Sequence, residues 1–414
     1  MATTGSKNKL KQLSGVFKAT FVSFVAILAF AVYEFILPIF TESKAESFAI
    51  VGVIVSLVYA ASFFSEMPVG LMVDKYGRIK IITIAMAGLG ILGLFYFFTK
   101  DIVALAIMSL IFGVVSVAFW IPSAVLVRDF SPHKMLCQAE GIYLNITQIG
   151  WIMGPILAGF IGIILSNNYN FLIVAALMFI SAILGLMIFK GQKAKKFKQL
   201  EKGHKHKAKL SLMITLFKEF VKVHKHAAPV YFLTMIAYIW TAIEWTFIAL
   251  AGIQRFGLPE SWMGVVLSAM MAVQGTLLFF SGYMMDKIGK RYIITAGFLL
   301  LFSSSYFMFL STNPAIFIFA ALMAAASISW ILPGTEAILT DIVPKNLYGE
   351  MSGVFDTSKD LGLIIGPLAG GFLALYLVNP LAPFLLVTIV SGGAALLSGF
   401  IFWPEKKQKR TTSA

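Results

Sequence analysis

The sequence predicts an all-α protein embedded in a lipid bilayer, with twelve membrane-spanning helices arranged as two six-helix units. Three observations predict it. Of 414 residues, 59% are hydrophobic and only 13% charged, against about a quarter charged in an ordinary soluble domain, so too little polar surface exists to face water all round. The apolar residues fall into twelve runs, each long enough to cross about 30 Å of hydrocarbon as a helix. The second six runs repeat landmarks of the first at a spacing of 212 residues.

The elements follow in order. "MATTGSKNKLKQLSG" (1–15) is polar and basic, and no small-residue cleavage signature follows it, so it reads as a cytoplasmic tail leading into a retained first helix. Spans are expected near 16–40, 47–73, 79–98, 102–128, 137–165 and 170–190, making a first unit over 16–190. Continuous apolarity without alternation selects helices over a barrel. The segment 191–226 is a basic cytoplasmic linker. Its later part sets Leu210, Met213, Phe217, Phe220 and Val221 on one helical face, away from Lys218, Lys222 and Lys225. That pattern suits a helix lying on an anionic membrane surface. Spans near 227–252, 260–285, 291–311, 314–340, 349–377 and 381–403 form a second unit over 227–403, and 404–414 is a basic tail.

The formal charge of +14 could suggest nucleic acid, but the bases are placed otherwise. Of 33 Lys and Arg, 29 lie in the tails, the linker and the turns after even-numbered spans. By the positive-inside rule this puts both termini in the cytoplasm, in a multi-pass protein of the cell membrane. No nucleic-acid partner is implied; the expected partners are lipid and a small molecule, and the expected state is a monomer. One cysteine, Cys137, excludes an internal disulfide. His204, His206, His224 and His226 stand in a Lys-rich segment without acids or further thiols beside them, so no metal site is expected.

The repeat is specific. "GLMVDKYGR" from Gly70 returns as "GYMMDKIGK" from Gly282. Asp129 and Pro132 return as Asp341 and Pro344, Gly141 as Gly353, and "GPILAGF" (154–160) as "GPLAGGF" (366–372). Six spans restore the chain to the same side, so the units are parallel repeats, a pattern of transporters whose substrate site lies between two halves.

These residues also carry a resemblance. "GLMVDKYGR", its copy after the eighth span, "RDFSP" (128–132) and "GWIMGP" (150–155) resemble the signature motifs of the major facilitator superfamily, over nearly the whole chain. The resemblance implies transport by alternating access. It also implies a gating role for Gly70, Asp74, Gly77, Arg78 and Asp129, with Asp286, Lys290 and Asp341 as a weaker copy. Gly77 permits a sharp bend that would bring Arg78 between Asp74 and Asp129 as a latch holding the outward-facing state. The bland alternative is that these charges only set topology. Gly150, Gly154 and Pro155, repeated as Gly366 and Pro367 beside Gly362, Gly370 and Gly371, are spaced for close helix packing. In the superfamily this motif in the fifth helix goes with drug/proton antiporters. Those antiporters usually carry an Arg in the fourth helix, where "IMSLIFGVV" offers Ser109 and Phe112 instead.

Intramembrane charges are functional candidates by default. Glu34 and Glu244 occupy equivalent places in spans 1 and 7, roughly 24 Å from the cytoplasmic start at 1.5 Å per residue. Spans 1, 4, 7 and 10 line the central cavity in the superfamily. With Tyr33, Trp240 and Trp245 beside them, the two acids would hold a lipophilic cation by charge and cation–π contact, and proton and cation would compete for one carboxylate. The alternative is that each acid is satisfied internally and structural. In span 11, Asp356, Lys359 and Asp360 stand at i, i+3 and i+4, so one lysine faces two acids, as a structural pair or a proton-opened switch. Thr147, Asn145 and Gln148 stand at or beside the matching places in span 5. Glu336 is five residues from Asp341 and is assigned to the gate; Glu66 lies at a similar level in span 2.

The expected function is proton-coupled export of hydrophobic or cationic compounds, with the proton as coupling ion and no cofactor. The alternatives are a proton-coupled symporter or facilitator of a small polar metabolite, and a transport-dead receptor or scaffold. No phosphate loop, His-Glu-x-x-His or Gly-x-Ser-x-Gly pattern suggests an enzyme.

Overall fold

In hydrocarbon a backbone finds no water to bond, so each apolar run must close its hydrogen bonds on itself. All twelve runs do so as α-helices in the computed structural model, which describes residues 13–132, 135–189, 210–343 and 348–401. The first six are α1 (Ser14–Ala45), α2 (Phe48–Tyr76), α3 (Arg78–Phe98), α4 (Ile102–Asp129), α5 (Leu136–Ile164) and α6 (Tyr169–Phe189). The second six are α7 (Leu210–Phe256), α8 (Glu260–Ile288), α9 (Lys290–Leu310), α10 (Pro314–Ile342), α11 (Tyr348–Leu377) and α12 (Ala382–Ile401). Each is long and apolar enough to span a membrane, and no strand occurs among the described residues. The N-terminal tail to residue 12, the linker 190–209 and the C-terminal tail from 402 lie outside the described residues, as do Pro344 and Lys345.

Turns explain the repeated signature. One residue, Gly77, separates α2 from α3, with φ +90° and its N–H on Val73 O at 2.9 Å. Gly289 does the same between α8 and α9, with φ +109° and its N–H on Met285 O. A Cβ is disfavoured at that φ, so glycine is the residue that turns the chain within one position.

Two elements differ from expectation. Helix α1 runs to Ala45, past the expected end at 40, because Glu46 adopts a left-handed φ of 48° and its N–H closes on Glu42 O at 2.8 Å. The expected surface helix before span 7 is not a separate element. Residues 210–256 form one continuous 47-residue helix, since no Gly or turn sequence divides them and Pro229 is accommodated inside it.

Within the first half α1 packs on α5 and α6, α2 on α4, and α3 on α4 and α6; the second half repeats this with α7 on α11 and α12, α8 on α10, and α9 on α10 and α12. Between halves, two seams dominate: α2 against α11, and α5 against α8. Both are closed at the face away from the chain termini, here the far face, by glycines that let backbones touch. A Cβ on Gly52 would sit 2.2 Å from Pro367 O, and one on Gly371 2.5 Å from Phe48 O. A Cβ on Gly264 would sit 2.3 Å from Pro155 O, and one on Gly159 2.8 Å from Glu260 O. Ser56 adds a hydrogen bond to Ile364 O at 2.8 Å, and Phe48 stacks on Phe247 at 5.7 Å. At the terminal face no such closure holds: a Cβ at Gly70, Gly141, Gly282 or Gly353 would meet nothing within 4 Å. A groove of about 530 Å³ opens there between the start of α1 (Leu13, Phe17) and the start of α5 (Gly141, Asn145).

Candidate functional site

The site lies between the halves, above the open terminal face. Its wall is aromatic. Phe30 of α1 meets Trp120 of α4 at 4.9 Å, Trp120 lies parallel to Trp151 of α5 at 6.3 Å, and Trp151 meets Trp245 of α7 at 5.3 Å. The row therefore crosses from one half to the other. Trp120 is the exposed member, at 38%. Sequence reasoning selected Trp245 and missed Trp120 and Trp151, whose only signal is the tryptophan type itself within cavity-forming spans.

Glu34 and Glu244 differ in setting. Glu34 is partly buried and accepts a hydrogen bond from Tyr59 Oη of α2 at 3.2 Å. Glu244 is 1% exposed; its Oε1 accepts from Gln274 Nε2 of α8 at 2.8 Å, and its Oε2 is buried without a partner among the described residues. Ser329 of α10 donates to Gln274 O at 3.0 Å, fixing that segment. Each acid is thus held by a neighbour from the following helix.

Tyr33 and Trp240 are not on an open wall. Tyr33 is 1% exposed, stacked on Phe112 at 3.7 Å, and shares a hydrogen bond with Tyr96 Oη at 3.0 Å; Tyr96 Oη is in turn 3.0 Å from Ser109 Oγ. The fourth-helix region expected to hold a basic residue is therefore filled by a ring stack and a buried chain of hydroxyls. Trp240 is fully buried in the second half, with Nε1 unpartnered among the described residues. One residue along a helix rotates a side chain by about 100°, which turns Tyr33 inward beside the partly exposed Glu34.

Nearer the terminal face is a charged cluster. Lys359 Nζ pairs with Asp356 at 2.9 Å and lies over the rings of Phe355 at 4.6 Å and Tyr238 at 5.9 Å. Glu336 of α10 interacts with Lys359, and Glu66 of α2 interacts with Asp356 and Asp360 across the seam. Glu336, exposed, is thus within electrostatic reach of this cluster as well as five residues from Asp341 of the gate pair. Gln148 Nε2 is bonded to Met271 O of α8 at 2.9 Å, and Asn145 Nδ2 to Gly141 O of its own helix at 2.7 Å. Gln148 is engaged in the α5–α8 seam, while Asn145 lines the groove.

The gate charges pair two by two. Arg78 bonds Asp129, and Lys290 bonds Asp341 at 2.7 Å, each joining the start of one helix to the end of the next. Asp74 and Asp286 are exposed and form no ion pair among the described residues. Among the described residues the expected latch thus shows the Arg78–Asp129 tie without Asp74, and the Lys290–Asp341 tie without Asp286, made while the far face is sealed. Gly150 and Gly154 pack on α1, where their would-be Cβ atoms lie 3.3 Å from Leu28 N and 2.3 Å from the Ala31 Cβ; Gly366 and Gly362 pack on α7 in the same manner.

Comparison with known proteins agrees with this architecture. The family model described as Major Facilitator Superfamily matches residues 19–250 and 230–414. An uncharacterized MFS-type transporter of Methanocaldococcus jannaschii is 23% identical over 361 residues, 87% of this chain and 91% of that protein. The quinolone resistance protein NorA of Staphylococcus aureus is 32% identical over 123 residues, covering 30% of this chain and 31% of NorA. Among solved structures, a mutant of the nucleoside transporter NupG superposes with a TM-score of 0.77 at 16% identity, over 94% of this chain and all of that one. A bacterial homologue of the human lysosomal transporter Spinster, inward-facing and unoccupied, gives 0.76 at 15% identity over 95% of this chain and 99% of that one. With the family model covering both halves, the chain belongs to the Major Facilitator Superfamily of membrane transporters, which are not enzymes.

Proposed function

We propose that this transporter exports hydrophobic or cationic compounds in exchange for protons, as a monomer in the cell membrane with both termini in the cytoplasm and no cofactor. The observation that carries the reading is the tryptophan row crossing between the halves, with Glu244 next to its Trp245 and the Lys359–Asp356 pair in α11. Aromatic faces and carboxylates together suit a lipophilic cation. The partial similarity to a quinolone resistance protein supports the same class. The bases on the terminal side support the orientation, and the sealed far face then makes this an inward-facing form.

Proton coupling follows from competition. A cation binds the ionised carboxylate, so its affinity rises with pH, and by linkage its binding releases a proton. Glu34, partly exposed, is the carboxylate for which proton and cation compete; Glu244, enclosed beside Trp245, senses the cation's charge. The test is tetraphenylphosphonium added to detergent-solubilised protein in weak buffer, with inverted-vesicle transport alongside. Wild type releases protons, and Glu34→Gln abolishes uphill export while leaving insertion intact. Equal release by wild type and the Glu34→Gln, Glu244→Gln double variant would overturn the assignment. Uptake of a polar metabolite, with no response to the lipophilic cation, would favour a proton-coupled symporter or facilitator instead.

A further inference from the structure

The far-face seam contains an acid that the transport reading leaves unused. Glu260 is the first residue of α8 and sits on the Gly159 contact with α5. Its Oε1 accepts a hydrogen bond from Asn167 Nδ2 at 2.9 Å, in the connector after α5. Its Oε2 and the Asn167 Oδ1 are both buried, and neither has a hydrogen-bond partner among the described residues. These two oxygens also converge. They lie 2.6 and 2.7 Å from the point where a Gly162 Cβ would sit, so glycine at 162 leaves them room to face each other. An ionised carboxylate has only acceptors to offer there, and an amide oxygen is likewise an acceptor. A proton on Oε2 converts the contact into two parallel hydrogen bonds, Nδ2–H to Oε1 and Oε2–H to Oδ1.

We propose that Glu260 is a proton-binding site built into the far-face seam: the closed seam holds a proton between Glu260 Oε2 and Asn167 Oδ1, and opening returns it to the far side. The start of α8 favours a negative charge, whereas the closed seam favours the neutral acid. Closing and deprotonation therefore oppose each other. The proton is sensed and not carried, because the seam separates it from the site between the halves. Of the helices packed on α8, α5 and α10 bring no titratable residue to this end. Helix α9 brings Tyr306 and α7 the exposed Arg255; the other acids of the far face, Glu42 and Glu46 on and after α1, Asp101 before α4, belong to elements not packed on α8. Because the closed state binds the proton, closure is favoured as pH falls, by up to about tenfold per pH unit.

The test is pulsed spin-label distance measurement across the far face, with labels at Lys44→Cys and Thr312→Cys in a Cys137→Ser background, in nanodiscs from pH 5.5 to 8.5. Wild type is expected to shift from the short to the long distance as pH rises. Glu260→Gln supplies an amide N–H in place of the acid proton, so it is expected to stay closed throughout, and Glu260→Ala to lose the pH response with more of the open form. Repeating the titration in the Glu34→Gln, Glu244→Gln background separates this site from transport coupling: the response should persist there. A Glu260→Gln protein that keeps the wild-type pH response, or a response lost with Glu34 and Glu244 instead, overturns the proposal.

Discussion

A single methyl group at Gly52 or Gly371 has nowhere to go when the far face is shut, since a Cβ on Gly52 would stand 2.2 Å from the Pro367 carbonyl oxygen. Gly52→Val is therefore expected to reach the membrane in normal amount, hold the far face open, and lose transport by tenfold or more. Thiol labelling of a far-face cysteine from that side should rise accordingly. Gly70→Val, with nothing within 4 Å, should leave far-face closure intact; increased far-face labelling of that variant would count against the assignment of the seam. Gly52 and Gly264 stand alone in apolar runs, where glycine gives no local signal, so only the 212-residue offset could have found them. Gly150, Gly154 and Pro155 were legible because their spacing is itself a packing pattern. Tyr33 and Trp240 were misread for a related reason. Residue type and span identify a candidate, but the direction of a side chain depends on helix rotation, which a uniformly apolar helix does not encode.

Among the elements, the spans were readable because hydrocarbon thickness sets their length, and the α2–α3 and α8–α9 turns because each needs a glycine at positive φ. The extent of α7 was not readable, since a basic amphipathic stretch has the same pattern whether it continues a helix or lies beside one. The ties between elements give two predictions. Arg78→Ala and Asp129→Asn remove the same contact between α3 and α4, so their effects on thermal stability should be non-additive, with a coupling of about 1 kcal/mol in a double-mutant cycle. Asp74→Asn should show no coupling to either. In α11, Lys359→Ala leaves Glu66, Glu336, Asp356 and Asp360 without the cation beside them, so folded protein or activity should fall. Adding Asp356→Asn should recover part of that loss by removing one of the repelling charges; additive losses would show that Lys359 and Asp356 do not act as a pair. The pairing with Asp356 was visible as an i, i+3 spacing, whereas Glu66 comes from another half and no sequence separation announces it.

At the scale of the whole molecule, the duplicated pattern made the two-unit architecture legible, while the state of the assembly was not, because alternating access uses one sequence for both faces. The two seams are in fact one contact made twice. Gly52 and Gly264 are 212 residues apart, as are Gly159 and Gly371, and the bond from Gln254 Nε2 to Glu42 joins two residues at that same separation. Two copies of a single six-helix chain placed about a two-fold axis would meet through this same pair of surfaces, each presenting what the other receives, as in an isologous dimer. The covalent link through 190–209 is then dispensable for recognition between halves. Residues 1–199 and 200–414 made as separate chains should co-purify from membranes and recover transport, and recovery should fail with Gly52→Val in the first chain. In that sense the molecule is a homodimer whose subunits have been joined end to end and have since diverged, with Phe48 facing what Glu260 faces in the other copy.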